Sequence, residues 1–233
     1  MAEQVAHPDL LPSLGLLARG LSALFWGLPL GLVVCFNTVR AETLRSMGVA
    51  PPLACTGLLV YGLWKLGGFQ KQERVWRNAL DRARVLSLIN FGLSPFLYWW
   101  NKVPGNSLFL VMVLLMGFSA LLFLASLNLV LQRLGAMLPD ETLRLEIKQF
   151  TKLNLNLLAV TVLIGLAFLA LNHWPKLLLV SPLYGLKALL DQGIFWSLAM
   201  LVPLVLLPIA LTMALLWKTK EVILENVFGA KPA

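Results

Sequence analysis

Charge is scarce in this sequence: Asp, Glu, Lys and Arg together make up 13% of 233 residues, against about 25% in soluble globular domains. Too few charges remain to cover a water-facing surface, which excludes an ordinary soluble protein. Cysteine and histidine are nearly missing, at two each. That excludes a disulfide scaffold and argues against a zinc or haem site, which needs clustered ligands. Also missing are a phosphate loop, a hydrolase elbow, a paired-histidine helix and a CxxC motif. The expectation is therefore a protein that is not an enzyme and carries no cofactor or metal.

Apolar residues fill the space that charge leaves. They make up 59% of the chain, and the mean hydropathy is +0.81. A bilayer-spanning helix needs about 20 mainly apolar residues, because a hydrocarbon core about 30 Å thick is crossed at about 1.5 Å per residue. Runs of this kind recur, and the expected fold is all-α: a polytopic transmembrane helical bundle of six spans arranged as three helical hairpins. The spans fall at about 15–36, 52–66, 85–100, 107–131, 153–171 and 194–217, in one integral membrane domain over 1–233 with short connections. The opening Met1-Ala2-Glu3-Gln4 is acidic and lacks a small-residue cleavage pattern, so the first apolar run is expected to be retained.

The net charge of +8 reads as a topology signal rather than a nucleic-acid footprint, since the basic residues sit between apolar runs. With six spans, fourteen of the nineteen Lys and Arg fall on one side, including Arg19, Lys65, the group from Lys71 to Arg84, and Lys218. Both termini are accordingly expected in the cytoplasm, and the short loops and strong asymmetry suit a bacterial inner membrane. Aromatic residues supply a test independent of charge. Tyr98, Trp99, Trp100, Trp174, Tyr184 and Trp196 mark the outer boundary and Trp64 and Trp217 the inner one, while Trp26 falls outside either belt. Lys71, Arg74, Arg77 and Arg84 lie beside the inner surface, where anionic headgroups attract them. Membrane lipids are thus expected partners, together with other membrane proteins or further copies of the chain.

Four segments between spans read as short interfacial helices. In the first, Glu73, Arg77 and Asp81 alternate in sign at spacings of four, while Trp76, Leu80 and Ala83 form an apolar stripe. In the second, Pro139 and Asp140 mark a helix start that runs on into the fifth span. Thr38 to Met47 and Pro182 to Asp191 are the other two. The run Pro139-Asp140-Glu141-Thr142-Leu143-Arg144 fits the Pro-x-acid-x-x-base pattern of mitochondrial carriers. It occurs once, after an even-numbered span, where that family repeats it after odd ones. The segment from Ala18 to Leu28 aligns without gaps on that from Ala83 to Leu93, at an offset of 65, which raises an internal duplication.

Few residues inside the spans are equipped for chemistry. His7 and His173 fall on opposite sides and cannot share a metal. Cys35 and Cys55 sit at similar depth on adjacent spans, where a disulfide is geometrically open and burial as two small apolar residues is the plainer reading. No span centre carries a charge, which argues against proton-coupled transport by one chain. The buried polar candidates are Asn90, Asn128 and Asn154, with Asn156, Thr161 and Ser126. Such groups join helices or line a cavity. Pro29, Pro95, Pro203 and Pro208 predict kinks in spans 1, 3 and 6, and Gly27 and Gly31 close helix packing. Two functions follow: a non-enzymatic structural, assembly or accessory subunit of a membrane complex, or a small transporter or channel with a cavity framed by the kinked spans.

Overall fold

The computed structural model describes residues 10–40, 47–69, 73–137, 141–173 and 194–228. Every element among them is a helix: α1 (Leu10–Arg40), α2 (Ala50–Leu66), α3 (Arg74–Leu93), α4 (Pro95–Lys102), α5 (Ser107–Met137), α6 (Glu141–His173) and α7 (Ile194–Phe228). Local sequence explains the ends. Pro51 and Pro52 start α2, where a missing N–H costs nothing. The Gly67 and Gly68 amides close it by reaching back to the Trp64 and Lys65 carbonyls. Asn106 caps α5, its Oδ1 accepting the Leu108 N–H at 3.0 Å.

The helices close a ring. α1 packs on α2, α2 on α3, α3 on α5, α5 on α6, α6 on α7, and α7 returns to α1, while α4 touches α1 and α5. Buried leucines line the inside: Leu17, Leu21, Leu24 and Leu28 of α1 at alternating spacings of four and three meet Leu63 and Leu66 of α2 and Leu216 of α7. The outside is apolar as well. Leu108, Val111, Leu114, Leu115, Phe118 and Leu122 form an exposed stripe down α5 that lipid accepts and water does not.

Among the described residues, four segments are long and apolar enough to cross a membrane: Ser13–Val39, Ser107–Met137, Arg144–Ala167 and Pro203–Leu224. They match the first, fourth, fifth and sixth expected spans. The second and third behave differently. Span 2 is α2, whose 17 residues reach only about 25 Å. Span 3 is a broken helix: α3 begins eleven residues before the apolar run and stops at Leu93, and α4 carries the chain on. The break falls at Pro95, which has no N–H to donate and whose ring crowds the preceding turn. Ser94 bridges the gap, its Oγ donating to the Phe91 carbonyl at 2.9 Å.

The interfacial stripe Trp76, Leu80, Ala83 is fully buried as its spacing implies, but on the first turns of α3 rather than on a separate helix. The helix start near Pro139 does run on into the fifth span as α6; Pro139 and Asp140 themselves lie outside the described residues, as do 41–46 and all of Pro182 to Asp191. The aligned segments are not treated alike. α1 buries Leu17, Leu21, Leu24 and Leu28, whereas α3 buries Ala83, Ser87 and Asn90, with Ser94 buried just after its end. These positions correspond to 18, 22, 25 and 29, one residue round the helix, so the alignment does not superpose the packing faces.

Charge separates the two ends of the ring. Phe25 stacks against Trp217 with centroids 5.5 Å apart, Lys218 pairs with Glu146, and Arg84 bonds the last turn of α2. Gly20 also closes on Leu66 and Gly135 on Ile147, so the sequence neighbours Arg19 and Lys65, and Arg133 and Lys148, fall at the same end as Arg84 and Lys218. At the other, Asn101 donates to the Thr38 carbonyl at 2.7 Å, and Lys102 lies near the Tyr98 and Trp99 rings.

Candidate functional site

The polar core begins with helix periodicity. Ile147, Thr151, Asn154, Leu158 and Thr161 fall at alternating spacings of four and three and form the buried face of α6. That face meets α5 at Asn128 and α7 at Pro208 and Thr212. Asn128, Asn154 and Thr212 have no exposed surface. The Asn154 amide nitrogen lies 3.1 Å from Asn128 Oδ1, 3.1 Å from the Pro208 carbonyl and 2.9 Å from Thr212 Oγ1. The Asn128 amide donates to the Leu124 carbonyl at 2.8 Å and to Thr212 Oγ1 at 3.0 Å. One cluster thus ties three helices together.

Proline explains why it sits here. Pro208 cannot donate to the Leu204 carbonyl one turn earlier, and Thr161 Oγ1 of α6 lies 3.4 Å from that oxygen. The Pro208 carbonyl in turn accepts from Thr212 Oγ1 at 2.8 Å. Inside lipid each unsatisfied backbone group is costly, so a proline in a spanning helix needs polar neighbours on the facing helix. Two oxygens are left over among the described residues: Asn154 Oδ1 is buried with no donor, and Thr151 Oγ1, one turn away, is buried with no partner.

Asn90 belongs elsewhere. It accepts from Ser119 Oγ at 2.5 Å, joining α3 to α5. Ser119 precedes Asn128 by nine residues on α5, about 14 Å along the axis, so the structure brings Asn128 and Asn154 together and leaves Asn90 apart. Asn156 is exposed and Ser126 half-buried, both outside the cluster. Thr212 and Ser119 were not among the sequence candidates. The signal for Thr212 was its place one turn after Pro208, where a hydroxyl can reach the carbonyl beside the kink.

The basic stripe also divides. Arg84 turns inward and donates to the Leu63 and Trp64 carbonyls at 3.4 and 3.5 Å. There it serves as a cationic cap on the negative end of the α2 dipole. Its guanidinium also lies 5.4 Å from the Trp64 ring centroid and 3.1 Å from Asp81. Arg74 and Arg77 are exposed at the start of α3, and Lys71 lies outside the described residues. Cys35 and Cys55 are free thiols, half-buried on the adjoining helices α1 and α2. Gly27 does pack closely, against Leu59 of α2, while Gly31 has open space beside it. His7 lies outside the described residues. No group of three metal-binding side chains occurs among the described residues.

Fold and core together define a helical integral membrane protein: among the described residues, four long apolar helices join α2 and α3 in a ring whose inner polar groups bond helix to helix. No protein-family model, curated protein or solved structure matches the chain.

Proposed function

We propose that this protein is a non-enzymatic structural, assembly or accessory subunit of a membrane complex. The observation that carries the reading is the use made of the buried amides. Asn90 Oδ1 and the amide nitrogens of Asn128 and Asn154 bond to Ser119, Thr212 and the Pro208 carbonyl of neighbouring helices, which is the role of polar glue. In the same proposal all six apolar segments cross the bilayer as three hairpins, α2 and the α3/α4 pair included. Both termini lie in the cytoplasm and the membrane is a bacterial inner membrane. The neighbour order around the ring and the basic end support this arrangement. Arg74 and Arg77, with Lys71, then rest against anionic headgroups.

A second reading, a small transporter or channel, is favoured by the Asn154 and Thr151 oxygens that lack a partner among the described residues, because a buried acceptor can serve a passing solute. Extraction of the tagged full chain in mild detergent, with the mass and protein content of the native particle determined, separates the two. The subunit reading expects stoichiometric companions. A chain that is alone, and that supports solute flux in vesicles abolished by Asn154→Leu, overturns it in favour of transport.

A further inference from the structure

An open groove of about 670 Å³ lies between α3 and α5, lined by Asn78, Asp81, Arg82, Val85, Leu86 and Ser126, within the roughly 300–1,000 Å³ range of small-molecule sites. Its chemistry changes along its length. At the basic end it is polar, with Asn78 and Arg82. Beyond the lining, Arg133 of α5 stands seven residues from Ser126, about 10 Å along the same side of the helix. At the other end Val85 and Leu86 start the apolar part of α3. Asp81 does not oppose an anion at full strength, because Arg84 pairs with it at 3.1 Å. The groove therefore crosses the level at which α3 passes from polar to apolar, with a cation above and branched side chains below.

We infer that this groove holds an anionic phospholipid, its phosphate between Arg82 and Arg133 and an acyl chain along Val85 and Leu86. The inference requires only that the bundle lie in a bilayer and stands whether or not the protein has companions. It also reassigns lipid recognition within the basic stripe, since Arg84, committed to α2 and Asp81, is not part of the site.

The test uses the full chain in a neutral detergent, titrated separately with short-chain phosphatidylglycerol, short-chain phosphatidylcholine and inorganic phosphate. Thermal unfolding and native mass spectrometry give the readout. Phosphatidylglycerol is expected to bind and raise the unfolding midpoint, with phosphatidylcholine and phosphate having little effect. Arg82→Gln and Arg133→Gln should each weaken binding about fivefold. Arg82→Lys should retain most of it, and Lys148→Gln, an exposed cation on α6, all of it. Equal binding of the two lipids, an equal shift with phosphate, an undiminished shift in the Arg82→Gln/Arg133→Gln double variant, or an equal loss on Lys148→Gln would each overturn the assignment.

Discussion

The α1–α2 pair and the α5–α6–α7 trio hold helices together in an apolar medium by opposite means. Where α1 meets α2, side chains are removed. A Cβ on Gly20 would stand 2.8 Å from the Gly62 carbonyl oxygen, and one on Gly62 would stand 2.9 Å from Leu24 Cγ, so the two backbones touch through their glycines. Where α5, α6 and α7 meet, side chains are added, and two amides and a threonine hydroxyl bridge the gap. Lipid tails are as apolar as leucine, which leaves close van der Waals approach and hydrogen bonding as the forces between spans. The first pair exploits shape and the second polarity. They should therefore fail differently: the glycine contact to added volume, the amide contact to lost donors.

Added volume gives the largest expected effect. Gly62→Leu must push α1 away from α2, because the obstacles are a backbone carbonyl and a buried leucine, and is expected to cost about 3 kcal/mol or more. Gly117→Leu, at an exposed position of α5 with nothing within 4 Å, should be tolerated. Reversible unfolding in mixed micelles measures both, and equal losses would remove the shape argument. Next comes lost polarity. Asn154→Leu leaves Asn128 Oδ1 and the Pro208 carbonyl without their amide donor, an expected loss of about 1–2 kcal/mol. Asn128→Leu in the Asn154→Leu background should then cost less than alone, since the two act as one network. Strict additivity would mean that the cluster is a set of independent bonds.

The apolar pattern alone makes much of this legible. All six apolar runs lie on helices, and the Trp76, Leu80, Ala83 stripe is buried as its spacing implies. Asn128 and Asn154 stood out because an amide in a leucine run needs a partner. Pattern did not reveal which partner, since Asn90 resembles Asn128 in composition and yet bonds to Ser119, about 14 Å away along α5. Helix limits were missed for a related reason. A hydropathy window places span 3 where polarity ends, while the backbone breaks where Pro95 lacks a donor, and these are separate physical conditions. Arg84 shows the same limit: a basic residue at a membrane boundary suits a headgroup, but one opposite a helix C-terminus also suits its carbonyls.

That last point yields a test intermediate in size. A Cβ on Gly67 would fall 1.6 Å from the Arg84 guanidinium, so Gly67→Ala must displace the cap from the Leu63 and Trp64 carbonyls. The expected cost is about 1 kcal/mol, the ordinary worth of a capping interaction. In an Arg84→Ala background the same substitution should cost almost nothing. A full cost in both backgrounds would show that the glycine is needed for its own backbone rather than for the arginine above it.

The smallest effect belongs to Thr161. Its hydroxyl bonds its own helix at the Leu157 carbonyl at 2.8 Å and lies 3.4 Å from the Leu204 carbonyl of α7, so the contact across helices is the longer of the two. Thr161→Val keeps the shape and removes the hydroxyl, and about 0.5 kcal/mol is expected, near the average for polar contacts between membrane helices. The origin of that loss can be separated from general packing by restoring the donor beneath it. In a Pro208→Ala background the backbone N–H of residue 208 can reach the Leu204 carbonyl again, and Thr161→Val should become neutral there. If the cost persists, the hydroxyl is serving α6 alone, and its contact with the Leu204 carbonyl contributes nothing to holding the two helices together.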